Sequence, residues 1–292
     1  MFHVEQSLNE VNKKDNHPNY TIKDFLVSEE EFSLVHNEEF GYLETRPQPR
    51  QEDLPNYYES TDYISHTDSN KGLLAFLYQG VKKFSLRRKV KLIDKLNSGN
   101  GTVLDIGAGT GDFLKVAKEK GWATIGVEPN QKARDFAQTK NIQLLESIDA
   151  LAGRKFDVVT LWHVLEHLPN LKNTLQKIEQ LVKEDGNLII AVPNYNSFDA
   201  NYYKEFWAAF DVPRHLWHFS RESMQLVFSS EFKLQKTKPM IFDSYYVSLL
   251  SEKHKTGSKF SLKAILIGLR SNLSAWRTKE YSSLIYCFKK AI

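Results

Sequence analysis

The chain has one cysteine, Cys287, among 292 residues, so it cannot form an internal disulfide. It has no apolar run of 18 residues, and its first six residues lack a basic segment followed by an apolar one. We therefore expect neither a spanning helix nor an ordinary signal peptide. Cys287 lies in the apolar run 284–288, which favours a buried strand over a nucleophile. A protein of the reducing cytoplasm fits these features.

A strong net charge is also absent, since the formal charge is +3. The charge is uneven, with 13 Asp/Glu and 5 Lys/Arg in residues 1–60, but 12 Lys/Arg and 3 Asp/Glu in residues 233–292. This asymmetry does not indicate an oligomeric state. The basic residues are dispersed and no RNA-binding module is recognisable, so two solvated faces are favoured over a nucleic-acid surface. We expect no nucleic-acid partner.

An apolar strand that runs into a glycine turn and a helix is the most informative segment. Residues 102–106 predict a buried parallel strand, and the turn contains Gly107, Gly109 and Gly111. These glycines remove the side chains that would keep a ligand from the backbone. The next strand ends at Glu128, at the spacing where a carboxylate can accept hydrogen bonds from ribose hydroxyls. The pattern predicts a site for a nucleoside cofactor.

Two cofactor classes fit such a site, a dinucleotide and S-adenosyl-L-methionine. A dinucleotide turn needs G-x-G-x-x-G, whereas this turn reads G-A-G-T-G and follows Asp105. Residues 103–111, V-L-D-I-G-A-G-T-G, resemble the first motif of class I S-adenosylmethionine-dependent methyltransferases. Residues 127–130, V-E-P-N, resemble their acidic motif. The resemblance spans residues 57–240 and implies a Rossmann-like fold of seven strands, with S-adenosyl-L-methionine as cofactor.

The order of predicted elements agrees with an α/β fold. Strands and helices alternate from residue 100 onward, which is typical of a mostly parallel sheet covered on both faces. We predict strands over 102–106, 123–128, 142–145, 156–161, 186–192, 232–239 and 281–289, and helices over 71–96, 111–120, 130–139, 170–183 and 220–230. By the resemblance, the last two strands are the sixth and seventh, and the seventh runs antiparallel between the fifth and sixth.

We divide the chain into an N-terminal extension (1–56), a flap and helix over the cofactor site (57–98), and a core (99–292). The extension loosely resembles the zinc-ribbon-like leader of some methyltransferases of this kind. Its paired cysteines are missing here, so we predict no structural zinc. Ordinary hydrophobic contacts would then have to hold the extension.

A helical insertion over 243–275 interrupts the core. Its residues Leu262, Ile265, Leu266 and Leu269 recur at helical spacing. We expect this apolar side to pack into the core or to form a lid. A helix lying on a membrane surface is the alternative.

Candidate catalytic groups follow the fourth core strand. Residues 161–167, L-W-H-V-L-E-H, resemble a segment that lines the cofactor pocket of many small-molecule methyltransferases. His163 then faces the substrate side and is our first candidate for the base, since histidine accepts a proton near neutral pH. Glu166 and His167 could instead orient the following helix. The resemblance implies as cofactor contacts Tyr58, Ser65, His66, Asp105, Gly107, Ala108, Gly109, Gly111, Glu128, Pro129, Ser147, Ile148, Leu161, Trp162 and His163.

A divalent metal is the alternative at the same segment. Quinone-pathway O-methyltransferases, which this segment resembles, bind a cation at an E-x-x-E-H sequence, and here His163 replaces the first glutamate. A set of His163, Glu166 and His167, with His215 as a conceivable fourth ligand, would favour an ion softer than Mg²⁺. We predict no metal and keep this set as the alternative.

A loop rich in aromatic and ionisable residues follows the fifth core strand. Residues 211–219 resemble the D-x-P-R-H-x-x-H-F motif of a bacterial methyltransferase subgroup. Loops of this composition commonly form binding surfaces, so we predict acceptor contacts by Asp211, Arg214, His215 and His218, with His215 as the second candidate base. In the alternative, Asp211 and Arg214 form an ion pair that only shapes the loop.

These patterns predict transfer of a methyl group to a small-molecule acceptor, with a hydroxyl oxygen as the preferred atom because histidines surround the expected mouth. Carbon, nitrogen, lipid and quinone acceptors stay open. Two rivals remain, a nicotinamide-dependent reductase with the same turn and a binding protein that kept the cofactor pocket without turnover.

Overall fold

The structure is a computed structural model that describes residues 20–50, 52–58, 73–228, 230–258 and 260–291, with only the backbone described for 73–78. The strands in these ranges are β1 (Tyr20–Lys23), β2 (Glu31–His36), β3 (Leu43–Arg46), β4 (Thr102–Ile106), β5 (Ala123–Val127), β6 (Leu144–Leu145), β7 (Phe156–Trp162), β8 (Val182–Pro193), β9 (Trp217–His218), β10 (Phe232–Pro239) and β11 (Ser283–Lys290). The α-helices are α1 (Leu73–Leu96), α2 (Asp112–Glu119), α3 (Gln131–Thr139), α4 (Leu171–Gln180), α5 (Phe198–Tyr203), α6 (Ser223–Leu226), α7 (Asp243–Thr256) and α8 (Leu262–Thr278).

Seven strands form a mixed central sheet in the order β10-β11-β8-β7-β4-β5-β6. The pairs among β6, β5, β4, β7 and β8 are parallel, whereas β11 is antiparallel to both β8 and β10. The predicted Rossmann-like methyltransferase fold is confirmed, including the antiparallel seventh core strand. Both β7 and β8 are nearly continuously buried, because helices cover both faces of a parallel sheet. The carboxyl ends of β4, β5 and β7 meet at one edge, where ligands bind in open α/β sheets.

Most predicted bounds lie within two residues of the observed ones, but three elements and the insertion differ. The predicted helix 220–230 is only the short α6, Ser223–Leu226. The predicted helix 170–183 ends at Gln180, and β8 begins at Val182 instead of 186. The insertion contains two helices, because Gly257 ends α7 with a φ of 75° that favours glycine.

The N-terminal extension forms a second, antiparallel sheet in the order β1-β2-β3-β9. Its last strand, β9, comes from the loop that follows β8, and β3 pairs Leu43 with His218. The amide of Thr45 also donates to the carbonyl oxygen of Leu216 at 3.1 Å. Buried Phe32 and Leu34 pack with aromatic residues of the same loop. The extension is therefore held by strand pairing to the core, which the sequence did not predict.

The insertion does not bury its predicted apolar face. Leu262, Ile265, Leu266 and Leu269 of α8 are all exposed, so the expectation of core packing is wrong. The periodicity identified residues that share a face, but the face that packs on α7 contains smaller residues. Among the described helices, none is long and apolar enough to cross a membrane.

Candidate functional site

The turn after β4 has an open backbone. Gly107, Gly109 and Gly111 have φ angles of 68°, 52° and 73°, a region that disfavours side chains. A Cβ at Gly107 would lie 2.4 Å from Cγ2 of Val164. By contrast, a Cβ at Gly109 would have no atom within 4 Å. The turn is thus tight against the segment that follows β7 at Gly107, and open to a ligand at Gly109.

Glu128 lies beside this turn. Its carboxylate accepts hydrogen bonds from the backbone N–H of Gly109 at 2.8 Å and of Asn130 at 3.0 Å. The side chain is half-buried, and each carboxylate oxygen keeps a further lone pair. An acceptor held at the mouth of an open glycine turn fits the hydroxyls of a nucleoside sugar.

Two predicted cofactor contacts are buried below the turn. Leu161 is fully buried in the core and offers no surface to a ligand, so we remove it from the site. Asp105 is also buried, and it accepts a hydrogen bond from Thr160 Oγ1 at 2.6 Å. Burial raises the pKa of Asp105 to about 7, although the Thr160 hydrogen bond opposes this rise. The Asp105 carboxyl is therefore bonded to β7 inside the sheet, and its cofactor contact stays a prediction.

Of the other predicted cofactor contacts, Tyr58 has its hydroxyl oxygen 3.1 Å from His167 Nδ1. Ala108 and Ile148 are half-buried, and Pro129 and Ser147 are exposed. Half-buried Trp162 makes an edge contact with Phe113, and Lys89 Nζ is 4.3 Å from its ring centroid. Their cofactor contacts remain predictions. Ser65 and His66 of the predicted flap lie outside the described residues.

His163 is placed between two carboxylates at the carboxyl end of β7. Its Nε2 is 3.1 Å from Asp243 Oδ2, and its Nδ1 is 3.4 Å from Glu166 Oε1. Burial alone would lower the pKa of His163, but the hydrogen bond to Asp243 and the contact with Glu166 outweigh it and raise the pKa to about 9. In this arrangement the ring is a cation at neutral pH. Sequence reasoning missed Asp243, which begins α7 and lies 80 residues away along the chain.

Glu166 is 1% exposed, and neither of its oxygens accepts a hydrogen bond from the described residues. Burial would raise its pKa, but His163 and the nearby imidazoles of His167 and His215 lower it. The carboxylate therefore stays ionised in a buried position. Three histidines surround it.

His167 and His215 approach Glu166 from two loops. His167 Nδ1 donates to the carbonyl oxygen of Arg214 at 3.0 Å, and His215 Nδ1 donates to that of Ala209 at 2.9 Å, since a carbonyl only accepts. With Nδ1 donating in each ring, Nε2 is the nitrogen that can offer a lone pair. One ligand atom from each of these three residues lies within 4.8 Å of the others, so Glu166, His167 and His215 could hold a metal ion. This set differs from the alternative expected from the sequence, because it leaves out His163.

The predicted acceptor-binding loop is largely internal. Arg214 is 1% exposed, with Nη2 at 2.8 Å from both Asp24 and Asp211. Its Nη1 also donates to the carbonyl oxygen of Tyr57 at 2.9 Å. Both carboxylates hold the guanidinium, which agrees with the ion-pair alternative for Asp211 and Arg214. The buried Arg214 offers no surface to an acceptor, whereas acceptor contact by the half-buried Asp211 stays a prediction.

The two histidines of this loop are buried as well. His218 Nε2 donates to Thr45 Oγ1 at 2.9 Å, and that hydroxyl donates to the carbonyl oxygen of His215. Burial lowers the pKa of His215 to about 4 and that of His218 well below its ordinary value. Both rings are neutral and internally bonded. The structure gives no support for acceptor contact by His218, and His215 is a weaker base than His163.

Comparison with known proteins agrees with the fold. A family model described as a methyltransferase domain matches residues 78–231. The chain is 30% identical over 123 residues to a ubiquinone biosynthesis O-methyltransferase of Nitrosomonas europaea, covering 37% of this chain and 51% of that protein. It is 32% identical over 124 residues to the protein of that name from Yersinia enterocolitica, covering 39% and 49%. The chain thus spans about half the length of the curated relatives it matches.

Solved structures are more distant in sequence. The 1,6-didemethyltoxoflavin-N1-methyltransferase of Burkholderia thailandensis is 14% identical, with 89% of this chain and 96% of that chain covered and a TM-score of 0.49. A SAM-dependent methyltransferase from Archaeoglobus fulgidus is 21% identical, with 72% and 94% covered and a TM-score of 0.47.

Proposed function

This chain belongs to the methyltransferase domain family and uses S-adenosyl-L-methionine as its cofactor, and on that premise we propose that it methylates a hydroxyl oxygen of a small-molecule acceptor. The same proposal places the reaction in the cytoplasm. The proposal rests on the position of His163. Its Nε2 lies 3.1 Å from Asp243 Oδ2, and its Nδ1 faces the buried Glu166.

The cofactor would be held by the open turn and the carboxylate beside it. The turn of Gly107, Gly109 and Gly111 admits the nucleoside, and Glu128 accepts hydrogen bonds from the sugar hydroxyls. Bound there, the cofactor supplies a methyl group that is already electrophilic. The protein then needs to align the acceptor and remove its proton.

His163 is proposed as the base that removes this proton. The charge of the buried Glu166 carboxylate, 3.4 Å from Nδ1, would favour the tautomer with its proton on Nδ1, which leaves Nε2 to accept a proton from the acceptor. Asp243 is half-buried on α7, and its oxygen marks a position where the acceptor hydroxyl could lie. The acceptor would replace Asp243 at Nε2. Asp243 is then a positioning residue that raises the pKa of His163 in the free protein.

The names of the curated relatives support an oxygen acceptor, because both are O-methyltransferases, at about 30% identity over half their length. A reductase is less favoured, since a pyrophosphate at the start of α2 would compete with the Asp112 carboxylate. Asp112 begins that helix and pairs with Lys82 and Lys140.

Methyl transfer is tested by incubating the protein with methyl-labelled S-adenosyl-L-methionine and a panel of phenols, catechols, hydroxy acids, amines and carbon acids. We expect S-adenosylhomocysteine to accumulate only with hydroxyl acceptors, with the label on oxygen by mass spectrometry and NMR. Label on nitrogen or carbon would contradict the oxygen assignment. Tight binding of S-adenosylhomocysteine without any turnover across the panel would favour a binding protein.

The ribose assignment is tested by replacing Glu128. We expect Glu128→Ala to weaken the calorimetric binding of S-adenosylhomocysteine by at least about tenfold, because charge-assisted hydrogen bonds are lost. Glu146→Ala is the matched control, since Glu146 is an exposed carboxylate near the same edge. Equal affinities in the two variants would remove Glu128 from the cofactor site.

We propose that the reaction needs no metal, because His163 is the proposed base and the methyl group of the cofactor is already electrophilic. Activity should therefore survive dialysis against EDTA. Suppose instead that EDTA abolishes activity, and that Zn²⁺ or Mn²⁺ restores it in the wild type but not in Glu166→Gln. That result would assign a cation to Glu166, His167 and His215.

A further inference from the structure

Helix α8 turns its small residues inward. Ala264, Gly268, Ser271 and Ala275 form much of its buried face. A Cβ at Gly268 would lie 2.9 Å from the Cα of Tyr245, so α7 approaches this face closely. Such a close contact between helices leaves no room for larger apolar side chains.

The opposite side of α8 is an apolar stripe open to solvent, which we call the α8 stripe. The exposed fractions reach 70% for Leu262, 63% for Leu266, 62% for Leu273 and 71% for Trp276. Ile265 and Leu269 extend the same stripe. A helix of 17 residues is about 25 Å long, and an apolar face of that extent marks an interaction surface.

Basic residues border the α8 stripe. Lys263, Arg270 and Arg277 recur every seven residues and are exposed, so they follow one edge of the stripe. Residues 253–279 contain seven Lys/Arg and no Asp/Glu. The surface is therefore both apolar and of a single charge sign.

We propose that the α8 stripe docks this protein on the surface of a bilayer that contains anionic lipid. The large apolar side chains enter the boundary of the acyl chains, while the long side chains of Lys263, Arg270 and Arg277 reach the phosphates. A second copy is a poorer partner, because two α8 helices face to face would bring cationic edges together. This docking does not depend on the proposed methyl transfer.

Flotation of the full chain with vesicles tests the docking. We expect the protein to float with vesicles of phosphatidylcholine and phosphatidylglycerol, and to partition at least about tenfold less onto phosphatidylcholine alone. Salt at about 0.5 M should weaken the binding, since it screens the basic edge. A wild-type chain that floats with neither vesicle overturns the proposal.

Two double variants locate the surface. Leu266→Ser/Leu273→Ser should reduce partitioning onto the anionic vesicles by at least about tenfold. Val35→Ser/Leu226→Ser is the matched control, because it removes two exposed apolar side chains on β2 and α6, and it should bind as the wild type does. Arg270→Glu/Arg277→Glu should lose binding as well without removing any apolar side chain of the stripe.

Equal partitioning of the two serine variants would overturn the proposal. A second result would also overturn it: the wild type does not float, sediments as a dimer, and becomes a monomer in Leu266→Ser/Leu273→Ser. The stripe would then be covered by a second copy of the chain. Thermal unfolding and S-adenosylhomocysteine binding of each variant verify that the fold is retained.

Discussion

One imidazole between two carboxylates is the chemical centre of the site at the scale of single residues. Glu166 is buried, whereas Asp243 is half-exposed on α7. The buried group is fixed by its surroundings, and the half-exposed group can be displaced by an acceptor. This difference in burial is why we assign the orientation of His163 to Glu166 and the tuning of its pKa to Asp243.

The pH dependence of the rate follows from the raised pKa of His163. The base must be neutral, and the neutral fraction grows as pH rises toward the pKa of about 9. We expect kcat/KM to increase with pH over the neutral range and to level off above about 9. A rate that is flat between neutral and alkaline pH would contradict a base role for His163.

Replacing Asp243 should move that profile. Asp243→Asn removes a charge that raises the pKa of His163, so the ascending limb should move to lower pH. Each fall of about one unit in the pKa of His163 raises the neutral fraction of its ring at pH 7 about tenfold. The rate at pH 7 should therefore increase. Asp185→Asn changes an exposed carboxylate near the amino end of β8, paired with Lys289, and should leave the profile unchanged. A lower rate with the ascending limb unmoved would indicate a purely structural role for Asp243.

At the scale of elements, the sequence predicted what depends on local pattern. Residues 102–106 and 232–239 have their predicted bounds, because each is a continuous strand pattern between breaks. The glycine turn and Glu128 were also predicted, since their spacing is local. The contacts of His163 with Asp243 and of Arg214 with Asp24 join residues 80 and 190 apart in sequence, so they depend on tertiary packing. Periodicity likewise identified the apolar side of α8 without indicating whether another element covers it.

Substitution by alanine should have different effects at two glycines of the same turn. Gly107→Ala adds a methyl group that collides with Val164 and also has an unfavourable φ, so it should cost about 2 to 3 kcal/mol of stability. Gly109→Ala has only the strain of its φ, about 1 kcal/mol, but its methyl group occupies the open side of the turn. Urea unfolding measures the first effect and calorimetry with S-adenosylhomocysteine the second. The expectation fails if Gly109→Ala binds as the wild type does.

At the scale of the whole molecule, the N-terminal extension and the core are joined through one buried guanidinium. Arg214 donates to Asp24 of the extension, to Asp211 of its own loop and to the carbonyl oxygen of Tyr57. Strand pairing between β3 and β9 joins the same two parts. The loop that the sequence indicated as an acceptor surface therefore serves as the connection between the two sheets.

Removing Asp24 should destabilise the whole chain. Asp24→Ala leaves the buried Arg214 with one carboxylate fewer and should lower the free energy of unfolding by about 3 kcal/mol in urea. Asp53→Ala removes a partly exposed carboxylate of the extension, paired with Arg50, and should cost less than about 1 kcal/mol. Similar losses in the two variants would contradict a structural role for the buried pair.

Acid should reveal the same ion pair. Burial would raise the pKa of Asp24, but hydrogen bonds from Arg214 and from backbone N–H groups lower it below its usual value of 3.8. A carboxylate with a lowered folded pKa contributes stability above its unfolded pKa and loses it as pH falls through the folded pKa. The wild type should therefore lose stability more steeply than Asp24→Ala below about pH 4, as measured by urea midpoints. Parallel curves for the two proteins would mean that other carboxylates account for the acid sensitivity.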